Sequence, residues 1–283
     1  MNKVWLNKKI IDAESACIPI SDRGFMYGDG VFETMRSYSG MVFKIDAHLD
    51  RLFNSLKVAK FSSPYAKDYL KREIYRLLDA NRLKEAYIRL MITRGEGRFG
   101  MEHKDRFIPN TVIVVKEFHS YPARVYAKGI TAGVVDIRQN ELSPVSGIKS
   151  LNFINYILAR FEAKEKGYDE AILANSRGHI AEATTSNIFM VKGMGLITPS
   201  PDSGILPGIT RMVVMQLARR RGIFVKEMAV TRRELYNSDE IFLTNSLSEV
   251  LPVVAVDGKR IGRGVPGETT RLLHSLYRKE TSR

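Results

Sequence analysis

The sequence predicts a mixed α/β (α+β) fold in two domains, a small N-terminal α/β domain and a larger C-terminal one. Three observations lead there. Runs rich in β-branched and apolar residues, such as Ala86 to Thr93 and Thr111 to Val115, read as strands. Other stretches repeat their apolar residues at helical spacing in both halves of the chain. Both periodicities lapse around Tyr121-Pro122-Ala123-Arg124. The small domain is therefore placed over residues 1–118, a linker over 119–128 and the large domain over 129–283. A chain of 283 residues is long enough for this division.

Lys3 to Leu6 alternates and is followed by Asn7-Lys8-Lys9, a strand and turn opening a hairpin. Residues 47–60 carry Leu49, Leu52, Phe53, Leu56 and Val58 at near-helical spacing behind Asp46, an expected N-cap. A second helix is expected over 66–80, where Leu70, Ile74, Leu77 and Leu78 form one stripe. Beyond the linker, Thr131 to Ile137 reads as a strand, Phe153 to Lys166 as a helix closed by Gly167, and Glu170 to Ala174 as a strand. Ile209 to Arg221, closed by Gly222, is the next helix. Thr231-Arg232-Arg233-Glu234 has capping-box spacing and opens a short one. Glu240 to Leu243 and Val250 to Val256 read as strands, and Thr269 to Arg278 as a last helix.

Composition narrows the class. The single cysteine, Cys17, excludes an intrachain disulfide framework. The start of the chain lacks a signal-peptide pattern, and no apolar run reaches bilayer-spanning length, so a cytoplasmic protein with no membrane partner is expected. The five histidines (48, 103, 119, 179 and 274) form no ligand-like pair, so no metal is expected. A net charge of +13 suits nucleic acid, an acidic surface or an anionic small substrate. The densest basic run, Arg219-Arg220-Arg221, sits at a helix C-terminus, where cations meet the dipole favourably. No aromatic-basic stripe or zinc-finger spacing is present, so no nucleic-acid partner is expected; a nucleic-acid-binding protein is the remote alternative.

Four places bear chemistry. Lys149 follows the irregular stretch Ser143 to Gly147 and precedes a helix, a place from which an amine can reach into a cleft and condense with a carbonyl. Taken alone it reads as a surface lysine. Glu182 follows His179-Ile180-Ala181; its carboxylate suits a protonated ring nitrogen if buried, or water if not. Gly208-Ile209-Thr210 opens a helix whose free N–H groups form an anion site, though Pro207-Gly208 is also ordinary turn punctuation. Arg51 shares a helix face with His48, and a guanidinium clamps phosphate bidentately or stays in solvent. Ser246 could donate one more hydrogen bond.

In this order the motifs resemble the class IV aminotransferase family, the fold-type-IV pyridoxal-phosphate enzymes, over nearly the whole chain. The matching stretches are Ser21-Asp22-Arg23-Gly24, Tyr27-Gly28-Asp29-Gly30-Val31-Phe32-Glu33, His48-Leu49-x-Arg51-Leu52, Tyr87-Ile88-Arg89, Lys149-Ser150-Leu151-Asn152, Glu182 with Ser186-Asn187-Ile188-Phe189, Leu206 to Arg211, and Asp239 to Phe242. The resemblance implies a two-domain fold with pyridoxal 5'-phosphate between the domains, and a homodimer in which residues near Tyr27 and Met101 approach the partner's site. Lys149 would be the Schiff-base and proton-shuttling lysine. Cofactor contacts fall on Arg51, Lys149, Glu182, Ser186, Asn187, Leu206, Ile209, Thr210, Asn245 and Ser246. Contacts to a small anionic, amino-bearing substrate fall on Tyr27, Phe32, Thr34, Arg36, Tyr87, Arg89 and Asn245.

The reaction is split between two family branches. Glu33-Thr34-Met35-Arg36 and Asn245-Ser246-Leu247 stand where branched-chain aminotransferases usually read Glu-Gly-Ile-Arg and Gly-Thr-Ala. Thr34 and Asn245 look like the 4-amino-4-deoxychorismate lyases, and Phe153 stands where branched-chain enzymes commonly have a tyrosine near the cofactor oxygen. The first expectation is thus a lyase giving 4-aminobenzoate and pyruvate. Tyr87-Ile88-Arg89 looks like the transaminases, so the alternative is a D-amino-acid or branched-chain transaminase. The loop over Gly95–Asp105 and the Asn245 turn are expected to shape the substrate pocket.

Overall fold

The computed structural model describes residues 2–97, 100 and 107–282, and Met101 with most of the loop to Asp105 lies outside them. The fold is mixed α/β, as expected. It divides into two compact units, Met1–His119 with Ile148–Asn152, and Ser120–Gly147 with Phe153–Arg283.

In the first unit, strands β1 (Lys3–Leu6), β2 (Lys9–Asp12), β3 (Gly30–Tyr38), β4 (Met41–Val42), β5 (Ala86–Thr93) and β6 (Thr111–Glu117) form one sheet in the order β2-β1-β6-β5-β3-β4. The short helix α1 (Arg23–Tyr27) precedes β3 and ends at Gly28, whose φ of 66° is the left-handed conformation glycine adopts freely. Helices α2 (Ile45–Val58) and α3 (Lys67–Ala80) cover one face of the sheet. The pleat decides which residues they meet. Along β5, Ala86, Ile88, Leu90 and Ile92 are buried against the helices while Tyr87, Arg89 and Met91 take the other face. Helix α2 begins two residues earlier than expected, so Asp46 lies in its first turn and Lys44 is the N-cap.

The second unit begins with α4 (Ala123–Lys128), so most of the expected linker 119–128 is a helix. Pro122 explains this: its fixed φ starts a helix without losing a hydrogen bond. Strands β7 (Ile130–Gln139), β8 (Glu170–Asn175), β9 (Ile180–Ala183), β10 (Asn187–Lys192), β11 (Gly195–Pro199), β12 (Phe224–Met228), β13 (Glu240–Asn245) and β14 (Glu249–Val256) form a mixed sheet in the order β12-β11-β10-β13-β14-β7-β8-β9, with β15 (Lys259–Arg260) paired to β14. Helix α5 (Ile154–Glu165) sits on β7 and β8 through Ala159 and Ala163, whose small side chains let it approach Val135 and Leu173 closely. Helices α6 (Ile209–Arg220), α7 (Arg232–Tyr236) and α8 (Glu268–Thr281) complete the unit, and α7 carries the expected capping box between Thr231 and Glu234. Residues 148–152, expected in the large domain, belong with the first unit.

Candidate active site

Lys149 is placed by backbone pairing. The Phe32 N–H donates to the Lys149 carbonyl and the Leu151 N–H to the Gly30 carbonyl, each at 2.9 Å, while Val31 bridges Ser150. The segment thus lines the first residues of β3. Gly30 makes room for it, since a Cβ there would lie 2.6 Å from Leu151 Cδ1 and 2.9 Å from the Ile92 carbonyl oxygen. Asn152 anchors the far end by donating Nδ2 to the Gly28 carbonyl at 3.0 Å. Lys149 Nζ then stands 4.6 Å from the centroid of the Phe32 ring, and the Arg89 guanidinium stands 3.9 Å from the same centroid.

Sheet register gathers the substrate candidates. Phe32 faces Met91, Thr34 faces Arg89 and Arg36 faces Tyr87 across the β3–β5 ladder. Directly paired residues share a face, so Phe32, Thr34, Arg36, Tyr87 and Arg89 all lie on the face away from α2 and α3. Arg36 is buried between the rings of Tyr38 (4.2 Å) and Phe118 (4.7 Å), with Glu85 at 3.8 Å, which is a structural setting. Tyr27 is partly exposed on α1, with the Arg23 guanidinium 4.9 Å over its ring.

The opposite face of β3 holds a cluster that sequence reasoning missed. Glu33 is fully buried and points at α2. Arg51 donates Nε to Glu33 Oε1 at 2.8 Å and Nη2 to Oε2 at 2.7 Å, and His48 Nδ1 lies 2.8 Å from Oε2. Burial pushes the Glu33 carboxyl up, but the charge and hydrogen bonds of Arg51 with the His48 bond outweigh it, and the group falls to about 2. Burial pushes His48 down, helped by the Arg51 and Lys149 charges, against the pull of Glu33. At neutral pH the arrangement is an ionised Glu33 between a cationic Arg51 and a neutral His48. The spacing of His48 and Arg51 was visible in the sequence; their shared carboxylate, on a strand, was not.

In the second unit Glu182, on β9, is buried and accepts hydrogen bonds from Tyr156 OH at 2.9 Å, the Leu206 N–H at 3.0 Å and Asn187 Nδ2 at 3.3 Å. These compensate for taking the charge out of water. Tyr156 is the second residue the sequence reading missed. Burial, then the Glu182 charge and hydrogen bond, pushes its phenol far above the usual range, so it remains a donor. Helix α6 starts at Ile209 and Thr210 behind its N-cap Gly208, which has no side chain to cap it. A Cβ on Gly208 would lie 2.0 Å from Asn187 Oδ1, so only glycine fits.

The turn after β13 is braced internally. Asn245 Oδ1 accepts the N–H groups of Leu247 (2.8 Å) and Ser248 (2.7 Å), and its Nδ2 donates to Ser186 Oγ at 2.8 Å. Ser246 lies within this turn. Phe153, Tyr156, Thr184, Thr185, Ser186 and Asn245 line part of a cleft of about 470 Å³ in this unit. Among the described residues no His, Cys, Asp and Glu cluster suits a metal ion, and no helix is long and apolar enough to cross a membrane.

Known proteins are similar to this chain over nearly its whole length. Residues 30–256 match the family described as amino-transferase class IV. A protein of Methanocaldococcus jannaschii, provisionally named a branched-chain-amino-acid aminotransferase, is 37% identical over 98% of this chain and 95% of its own. The D-alanine aminotransferase of Bacillus licheniformis is 33% identical over 95% and 93%. The branched-chain amino acid aminotransferase of Escherichia coli superposes with a TM-score of 0.95 at 30% identity, covering 98% of this chain and 94% of that one. A provisionally named 4-amino-4-deoxychorismate lyase of Legionella pneumophila superposes with a TM-score of 0.87 at 24% identity, over 95% of this chain and 97% of that one, which shows a common fold. A family match over most of the chain and this degree of identity make the protein a member of the class IV aminotransferases, enzymes that work with pyridoxal 5'-phosphate.

Proposed function

We propose that the protein is an amino-acid transaminase, moving an amino group from an amino acid to a 2-keto acid. The lyase expected first rested on Thr34 and Asn245 as groups orienting a ring carboxylate. The observation that carries the transaminase reading is the occupation of Asn245: its Oδ1 already takes two backbone N–H groups and its Nδ2 a serine oxygen, so it serves its own turn. The named relatives above 30% identity are likewise aminotransferases.

The residues present fit the cofactor. Glu182 is a buried carboxylate with ordered donors, suited to a protonated ring nitrogen. The start of α6, whose N-cap Gly208 carries no side chain, suits a phosphate with Ile209, Thr210 and Ser246, and Arg51 of the first unit is proposed as a further phosphate contact on the family resemblance alone. Ser186, Asn187, Leu206 and Asn245 shape these two places through the hydrogen bonds given above. When bound, pyridoxal phosphate supplies an aldehyde that condenses with amines and a ring that draws electrons from the neighbouring carbon. Lys149 Nζ is the amine and the base: it takes the proton from the substrate's amine-bearing carbon and returns it to the product side. Glu182 holds the proton on the ring nitrogen. Arg89, beside Phe32 and Lys149 on the helix-free face of the first sheet, receives the anionic end of the substrate, with Thr34 and Tyr87 around it.

The test presents the loaded enzyme with L-leucine, D-alanine and D-glutamate in turn and follows conversion of the cofactor to its amine form. At least one amino acid is expected to convert it fully, and 2-oxoglutarate is expected to return it to the aldehyde form as the keto acid takes up the amino group. Pyruvate released from aminodeoxychorismate without a keto acid, and no conversion by amino acids, would restore the lyase reading.

We propose a homodimer as well. Ile154, Ile157, Leu158 and Phe161 make an exposed apolar stripe at helical spacing on α5, a feature that marks protein contact surfaces. Sedimentation equilibrium is expected to give twice the 32.1 kDa chain mass, and a monomer at micromolar concentration would refute it.

A further inference from the structure

The polar contacts behind Glu182 extend beyond the side chains that touch it. Gln139, buried on β7, donates Nε2 to Tyr156 OH at 2.8 Å and to the Gly204 carbonyl at 2.8 Å. The Gly204 contact settles which way the amide faces, because the reversed amide would set one carbonyl against another. The Tyr156 oxygen therefore accepts from Gln139. Its own hydrogen then points to Glu182 Oε1, 2.9 Å away. The order Gln139 to Tyr156 to Glu182 is a one-way chain of donors ending on the carboxylate. Tyr156 is held from the side as well, its ring 4.9 Å from that of Phe153.

We infer that Tyr156 is a positioning residue for amino transfer, a fixed donor that, backed by Gln139, aims Glu182 and keeps its negative charge available to the cofactor's ring nitrogen. The inference rests on the pairing of Glu182 with that nitrogen. A proton shared between a carboxylate and a pyridine goes to the nitrogen when other donors already stabilise the carboxylate. Without the phenol, Oε1 competes better for it, and the ring withdraws electrons less well. The phenol's proton affinity, raised by burial and by Glu182, ensures that it donates across the working pH range.

Tyr156→Phe removes the hydroxyl and keeps the ring against that of Phe153. Three readouts are compared for Tyr156→Phe, Glu182→Gln and the double variant: pyridoxal phosphate affinity by absorbance titration of the apo-protein, the pH midpoint of the visible band of the loaded protein, and kcat and KM for transamination. The expected result for Tyr156→Phe is weaker cofactor binding, a displaced midpoint and kcat lower by roughly tenfold with KM unchanged, the size expected for losing one hydrogen bond to a charged group. In the Glu182→Gln background the same change is expected to add nothing, since Tyr156 acts through Glu182. Gln139→Met, which cannot donate, is expected to displace the midpoint in the same direction by less.

Tyr156→Phe that changes only thermal stability, while Glu182→Gln moves the midpoint and the affinity, overturns the role of Tyr156 and leaves the Glu182 pairing standing. Full additivity in the double variant overturns it too. Should Glu182→Gln itself leave affinity and midpoint unchanged, the ring-nitrogen pairing fails and the inference with it.

Discussion

Lys149→Ala is expected to lower transamination by at least about 10³-fold and to leave the purified protein colourless when pyridoxal phosphate is supplied and excess removed. The loss is large because one atom does two jobs. Nζ is the amine that holds the cofactor aldehyde and the base that moves the substrate proton, and a positioned base alone contributes roughly 10²–10⁴-fold. The fold is expected to survive, because the backbone bonds that dock the segment, Phe32 N–H to the Lys149 carbonyl and Leu151 N–H to the Gly30 carbonyl, are kept in the variant. Thermal unfolding without cofactor should therefore match the parent closely while single-turnover conversion of an amino acid disappears. A variant that keeps its colour and its conversion rate would remove Lys149 from the mechanism.

The second large effect is on stability and lies at Glu33. Replacing it with glutamine leaves Arg51 as a buried guanidinium without its carboxylate, and breaking a buried pair in this way costs about 3–5 kcal/mol. Its pH dependence has a definite sign. Folding lowers the proton affinity of Glu33 from 4.5 to about 2, so its contribution is complete above 4.5 and is lost as pH falls toward about 2. That difference corresponds to about 3 kcal/mol. Denaturant unfolding at neutral pH should show the full gap between parent and Glu33→Gln, and the gap should narrow steadily below pH 4.5. A gap independent of pH between 5 and 2 would count against the ionised buried pair. Because Glu33 holds both Nε and Nη2 of Arg51, the same substitution should also weaken cofactor binding if Arg51 contacts the phosphate.

Segments whose buried positions are all apolar were legible and β3 was not, for a physical reason. Helix α2 shows in Leu49, Leu52 and Leu56, and β5 in the alternation of Ala86, Ile88, Leu90 and Ile92, because in both the buried positions are apolar. Strand β3, the longest of the first sheet, carries no such signal: its inward positions are Val31, Glu33, Met35 and Ser37, and the charged Glu33 breaks the pattern. Glu33 is tolerated there only because Arg51 and His48 meet it from α2, 15 to 18 residues away. The helix over 123–128 escaped notice because six residues are too few to show a period.

The site divides the same way. Residue types in order, Lys149 through Glu182 to Ile209-Thr210, determined the family and the cofactor, since the chemistry demands an amine, a carboxylate and an anion-binding helix start in a chain that can place them. The sequence also contained Asn245 and Thr34, from which a lyase was expected first. Only the folded turn reveals what Asn245 holds: its Oδ1 accepts from Leu247 and Ser248 and its Nδ2 donates to Ser186. Likewise only the structure put Tyr156 and Gln139 behind Glu182. Such partners come from β7, α5 and β9, and nothing in local spacing states which side chains a sheet and helix will bring within 3 Å of each other. What a residue can do is written in its side chain; whether it is free to do it depends on who reaches it in three dimensions.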